Sequence, residues 1–210
     1  MSRTEIICEN IYKSFSGIPV FKNLSFRIST SESLSITGKN GSGKSTLIKI
    51  LANLIHSTKG KISILENGSD IPDEKRFYRT GLISPYLNLY DELTGYENLA
   101  FFYELKSRNK DLEEQVGLVL ERTGLHEKRN ELVKNYSSGM KQKLKIAFAI
   151  MTQPEILLMD EPRTNLDKQG IELIQKISDE QKNKGILIVA TNEDSDKRLC
   201  DNSINIEDYK

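Results

Sequence analysis

Residues 38–46 read Gly38-Lys39-Asn40-Gly41-Ser42-Gly43-Lys44-Ser45-Thr46. The stretch fits G-x-x-x-x-G-K-[ST], in which a curled backbone aims its N–H groups at one anion. Gly38, Gly41 and Gly43 permit the backbone angles that such a curl needs. Lys44 adds a mobile positive charge for β- and γ-phosphates, and the Ser45 hydroxyl is placed to hold Mg²⁺. Just upstream, Leu34, Ser35, Ile36 and Thr37 read as a strand. Downstream, Leu47, Ile50, Leu51 and Leu54 follow helical spacing. The loop therefore feeds a helix N-terminus, which favours anions. All nine residues are candidate nucleotide contacts.

A second stretch completes an ATP site. Ile156-Leu157-Leu158-Met159-Asp160-Glu161 is an apolar strand that exits into two acids. Beside a phosphate loop, such acids can reach Mg²⁺ and an attacking water. Asp160, with Ser45, is the metal candidate, and Glu161 suits polarising the water. ATP and Mg²⁺ are the expected ligands.

Around these two motifs the chain reads as alternating strands and helices. Strands are expected at 5–11, 24–28, 61–65, 79–84, 155–159, 186–191 and, weakly, 201–206, the first two as an antiparallel flap. Thr94-Gly95-Tyr96-Glu97 is a capping box. Asp111 and Ser137 read as the caps of two further helices, and Asp167 as the cap of a helix before residue 186. Met140, Leu144, Ala147, Phe148 and Met151 share one face of the helix after Ser137. The expectation is one α/β domain over 1–210, with a mostly parallel core, an antiparallel N-terminal β part and a helical insert at roughly 86–150. No appended regulatory domain is read from the sequence.

The bulk numbers exclude some classes. Of 210 residues, 30 are Lys or Arg and 30 Asp or Glu, so net charge is zero and no basic field points to nucleic acid. Apolar runs are too short to cross a bilayer, and a Glu precedes any apolar run at the N-terminus, unlike a signal peptide. Cys8 and Cys200 lie in strand-like segments and read as buried free thiols, so a cytoplasmic location is expected.

Between the two motifs, Tyr136-Ser137-Ser138-Gly139-Met140 resembles the Leu-Ser-Gly-Gly-Gln signature of ABC transporter nucleotide-binding domains, with Ser137 and Gly139 kept. The resemblance runs along the whole chain and implies a P-loop NTPase core. Lys13-Ser14-Phe15 is similar to the family's early segment and makes Phe15 the candidate to stack on adenine, although a core aromatic is an equal reading. Thr164-Asn165-Leu166-Asp167 resembles the loop that touches a neighbouring subunit. In the family, two domains pack head to tail around ATP. The resemblance therefore implies that Ser137, Ser138 and Gly139 serve the nucleotide of a second ATPase subunit, either a copy or a related chain. It also implies an integral membrane permease as partner, with this subunit peripheral on the cytoplasmic face. Residues 84–94, rich in Tyr and Leu, are similar to a stretch of small exporter ATPases of haem-export type. They are expected to dock that partner through Tyr86 and Tyr90, with packing between core and insert as the other reading.

Two positions depart from the family. Pro85 stands where a Gln usually contacts Mg²⁺ and water, and Asn192 stands where a His usually contacts the γ-phosphate. Asn192 can donate one neutral hydrogen bond there, so it joins Lys44 and Glu161 as a catalytic candidate, and either water or a nearby group such as Asn88 is open as a substitute for the missing Gln. Slow hydrolysis is expected. Two rivals stay open: an ATP-binding assembly subunit that does not hydrolyse, and a soluble ABC ATPase outside transport.

Overall fold

The computed structural model describes residues 3–106 and 111–210. The chain opens with a hairpin of two long strands, β1 (Thr4–Phe15) and β2 (Ile18–Ser29). Ser16 and Gly17 close it with positive φ at both positions, the backbone twist that tight hairpins favour. Then follow β3 (Ser33–Thr37), α1 (Lys44–Leu51), β4 (Lys59–Glu66), β5 (Ser69–Asp70), α2 (Asp73–Arg79) and β6 (Thr80–Ile83). Three helices come next, α3 (Gly95–Lys106), α4 (Leu112–Arg122) and α5 (Ser138–Ile150). The chain finishes with β7 (Ile156–Asp160), α6 (Lys168–Lys184), β8 (Ile186–Ala190), α7 (Asp194–Lys197) and β9 (Asn202–Asn205).

The strands form two sheets. One is antiparallel, in the order β2-β1-β4-β5, and the other is parallel, in the order β6-β7-β8-β3-β9. Both faces of the parallel sheet are covered, as its near-continuous apolar strands require. Along β7, Ile156 and Leu158 enter the core shared with α1 and the antiparallel sheet. Leu157 and Met159 enter the core shared with α5 and α6. Period-two alternation thus serves two cores from one strand.

Several helix starts follow the side chains expected to cap them. Thr94 and Glu97 exchange bonds with each other's backbone N–H, completing the capping box. Ser137 accepts from the Met140 N–H at 3.2 Å, and Asp167 from the Gly170 N–H at 2.7 Å. Asp111 occupies the cap position of α4 but its side chain makes no cap bond there. The face of α5 is as expected: Leu144, Ala147, Phe148 and Met151 are buried, and Met140 packs against them.

Other features differ from expectation. Helix α2 takes residues 73–79, so the strand beside it begins only at Thr80. Pro72 precedes this helix with φ −55°, and Asp73 and Glu74 fill its first turn, a start signal that the charged run hid. Cys8 is buried on β1, but Cys200 sits in the loop after α7, partly exposed. Burial pushes both thiols up to about 12.

Candidate functional site

Parallel strands bring their C-terminal ends to one edge, where ligands bind in open α/β sheets. At that edge β3 leads into the glycine loop, β7 into Glu161 and β8 into Thr191 and Asn192. Strand β8 lies between the other two, and Ala190 pairs with both Ile36 and Asp160. The Glu161 N–H donates to the Ala190 carbonyl at 2.9 Å, and the Thr191 N–H to the Ile36 carbonyl at 3.0 Å. Three loops distant in sequence are therefore fixed side by side through backbone bonds.

The glycine loop is as curled as its composition demands. Gly38, Gly41 and Gly43 have φ of 143°, 77° and 111°. At Gly43 there is also no room: a Cβ would stand 2.5 Å from Val20 Cγ1. Lys44, buried to 5 % exposure, bends back so that Nζ donates to the Gly38 and Lys39 carbonyls at 2.8 and 3.2 Å. Its Nζ also lies 3.9 Å from Glu161 Oε1.

The two acids stand at the exit of β7. Asp160 is 1 % exposed. Burial pushes its carboxyl above the usual range, against the pull of the Ser45 hydroxyl and the Lys44 and Lys49 charges. Its Oδ1 is buried without a hydrogen-bond partner. An orphaned carboxylate oxygen beside a serine hydroxyl suits Mg²⁺, which takes one or two protein oxygens and keeps waters and substrate phosphates. Glu161 is pushed up by burial too, with Lys44 and Thr191 opposing. It holds a left-handed backbone, φ 48°, which is uncommon for a Glu and clusters at functional sites.

A cavity of about 430–470 Å³ opens on each side of the loop. One is lined by Phe15, the loop from Asn40 to Thr46, Lys49, Tyr86 and Glu161. Phe15 is half exposed there, with Lys13 Nζ 4.7 Å above its ring, so it is not a core aromatic. The other is lined by Thr37 to Asn40, Asn192 and Lys197 among others. Asn192 Nδ2 donates to Asn40 Oδ1 at 3.2 Å, linking the β8 exit to the glycine loop.

Ser137, Ser138 and Gly139 line neither cavity. The two serines are exposed at the start of α5. Asp167 is exposed as well and pairs with Lys143 on α5 at 3.2 Å. Pro85 offers only its carbonyl, which accepts from Lys145 Nζ at 3.0 Å, and Asn88 is exposed. Tyr86 and Tyr90 have separate partners. The Tyr86 ring lies under Lys49 Nζ at 4.0 Å at the cavity that Phe15 lines, whereas Tyr90 packs on Phe101 and Phe102. Sequence reading missed Lys49 and Tyr86 as lining residues. Lys49, one turn beyond Ser45 on α1, carried a signal that helical spacing could have supplied.

Against this geometry, the sequence profile of the ABC transporter family matches residues 21–164. The chain belongs to the ABC transporter ATP-binding family. Among relatives of this ABC ATPase domain, the uncharacterized ABC transporter ATP-binding protein YdbJ of Bacillus subtilis is 35% identical over 78% of this chain and 53% of its own length. The Nod factor export ATP-binding protein I of Rhizobium leguminosarum bv. viciae is 32% identical over 96% of this chain and 66% of its own. The ABC ATPase domain thus spans between 53% and 66% of the length of these two curated relatives. Among solved structures, the dimeric post-hydrolysis ATP-binding cassette MJ0796 bound to ADP and Pi superposes with a TM-score of 0.83 at 25% identity. That match covers 95% of this chain and 93% of the other. The fold of the ABC ATPase domain is accordingly the P-loop NTPase fold of this family. Among the described residues no helix is long and apolar enough to cross a membrane.

Proposed function

We propose that this chain binds and hydrolyses ATP as the motor subunit of an ABC exporter, closing on a second ATPase subunit and passing the motion to a separate membrane permease. The observation that carries the reading is the separation of two half-sites. The glycine loop and Glu161 line one cleft, while Ser137 and Ser138 stand exposed and Gly139 half-buried elsewhere, free to cap another molecule's nucleotide. The relatives' names support ATP binding, and that of the Nod factor protein supports export.

The residues have work to do in sequence. Phe15 would stack on the base, and the backbone N–H groups from Lys39 to Thr46 would hold the phosphates. Lys44 would leave the Gly38 and Lys39 carbonyls for the β- and γ-phosphates, and Asn192 would exchange Asn40 for a phosphate oxygen. Glu161 would polarise the water in line with the γ-phosphorus. Ser45 and Asp160 would hold Mg²⁺, which neutralises phosphate charge when bound. With Pro85 and Asn192 in place of a Gln and a His, a neutral contact replaces a charge-assisted one of roughly twice its strength, so turnover is slow. We read the helices within residues 86–150 as the insert that carries the permease contact, on the cytoplasmic face. In the cleft, Tyr86 is a nucleotide-side residue in this reading, and Tyr90 a packing one.

The test is Glu161→Gln. Phosphate release should fall by two to three orders of magnitude, as for loss of a water-activating group (about 10²–10⁴), and ATP should then hold a dimer on size exclusion. Unchanged phosphate release sinks the hydrolase reading. Release near zero in the parent, with ATP still bound, favours the assembly subunit.

A further inference from the structure

Asp196 is an acid that the reaction above does not use, yet it is only 2 % exposed and has two polar side-chain neighbours, one from each of two loops. Its Oδ1 lies 3.0 Å from Arg163 Nε, and its Oδ2 lies 3.1 Å from the Thr191 hydroxyl. That hydroxyl is itself fully buried and accepts from the Glu193 N–H at 3.0 Å. Its other near neighbour is Glu161 Oε2, at 3.3 Å. Arg163 follows Glu161 by two residues on the β7 exit, and its Nη2 is held by Gln175 Oε1 of α6 at 3.3 Å. The four side chains therefore close a ring that runs from the β7 exit to the β8 exit and back.

We propose that Thr191, Asp196 and Arg163 form a positioning chain for Glu161. Arg163 neutralises Asp196; the Glu193 N–H fixes the Thr191 oxygen; the single hydroxyl proton, not kept by Asp196, is donated to the Glu161 carboxylate beside Lys44. The physical need is plain. Glu161 sits on a left-handed backbone at a strand end, and a side chain with several free torsions would otherwise wander from the water it must polarise. The hydroxyl offers one proton between two carboxylates, so an unneutralised Asp196 would keep it. The Arg163 guanidinium pairs with Asp196 by charge at 3.0 Å, with neither Arg163 Nε nor Asp196 Oδ1 in hydrogen-bond geometry, and that neutralisation leaves the proton available to Glu161. These three residues do not touch the reacting atoms, so their role is positioning and not catalysis.

The inference rests on the reading of Glu161 as the water-polarising group, and two measurements keep the two apart. In steady-state ATP hydrolysis, Thr191→Val and Arg163→Gln should each lower kcat about tenfold, the size of one lost hydrogen bond, with KM for ATP unchanged. Thr191→Ser, which keeps the hydroxyl, should restore most of the rate. In crystals of nucleotide-free Thr191→Val, the Glu161 carboxylate should leave its place 3.9 Å from Lys44 Nζ. Equal loss in the Ser and Val variants, or a raised KM at constant kcat, overturns the chain. An unmoved carboxylate overturns it as well. If the parent and Glu161→Gln proteins release phosphate alike, the hydrolase reading falls, and the crystallographic position of Glu161 decides the positioning chain by itself. Should Thr191→Val fail to fold, Arg163→Gln reads the same ring from its other end in both measurements.

Discussion

Gly43 and Asp160 show two ways in which single residues trade stability for the site. Gly43 has both a left-handed φ and no space, whereas Gly41 has only the φ, with nothing near its missing Cβ. Backbone strain of this kind costs about 1–3 kcal/mol. Gly43→Ala should therefore destabilise by about 3 kcal/mol or more, because the Val20 clash adds to it, and Gly41→Ala by about 1 kcal/mol. Urea denaturation of both variants checks the order. Asp160 acts through charge. Its folded carboxyl binds a proton more readily than the unfolded one, so stability falls as pH rises through the window from the ordinary Asp range up to its raised value. Asp160→Asn should remove that slope and raise the neutral-pH melting temperature of the nucleotide-free protein, while abolishing Mg²⁺-dependent hydrolysis. A lower melting temperature for the Asn variant refutes the argument. Thr191 belongs at this scale too: nothing in a lone Thr after a strand announced a hydroxyl shared between two acids.

Helix starts were largely legible, because a cap is a local matter of one side chain and an N–H three residues on. The start of α3 adds a contact between elements. Gly95 has Tyr136 against it, and a Cβ there would stand 2.2 Å from the tyrosine hydroxyl. Tyr136 is buried, and its hydroxyl donates to the Lys128 carbonyl at 2.7 Å. It stands where the family signature carries Leu, and the larger ring fits because α3 begins with glycine. Ala is the better helix former by about 1 kcal/mol, but overpacking costs about 1–3 kcal/mol, so Gly95→Ala should be net destabilising. Tyr136→Phe in the same protein should recover part of the loss, since the remaining ring carbon lies 3.1 Å from the new methyl. Additive losses in that double-mutant cycle, read by denaturation midpoints, contradict the contact. By contrast, α2 was hidden: seven residues with five charges and no buried side chain have no apolar face to reveal a helix.

At the scale of the whole molecule, the two sheets are joined by more than apolar packing. Arg79, at the end of α2, donates to both carboxylate oxygens of Glu66 on β4 at 2.8 Å. It also pairs with Glu155, just before β7, and Glu155 accepts from the Thr4 hydroxyl of β1 at 2.7 Å. A partly exposed network of charge-assisted bonds is worth about 1–2 kcal/mol. Arg79→Ala should cost about that much, and hydrogen exchange should speed up in β4 and β6 before the β7–β8 centre. Uniform acceleration across both sheets speaks against a junction role.

Local chemistry was readable from the chain: the glycine cradle, the two acids after an apolar strand, the caps, and the absence of a basic field. The first three depend on residues within one turn or one strand of each other, and the last on a count over the whole chain. Tertiary structure alone decided which loops meet. Strand β8 comes last of the three in the chain, yet it inserts between β3 and β7, because parallel pairing is set by crossover packing over more than a hundred residues. That insertion places Asn192 on Asn40, Thr191 on Glu161 and Asp196 on Arg163. It also leaves Ser137, Ser138 and Gly139 outside the cleft, since no strand end carries them there.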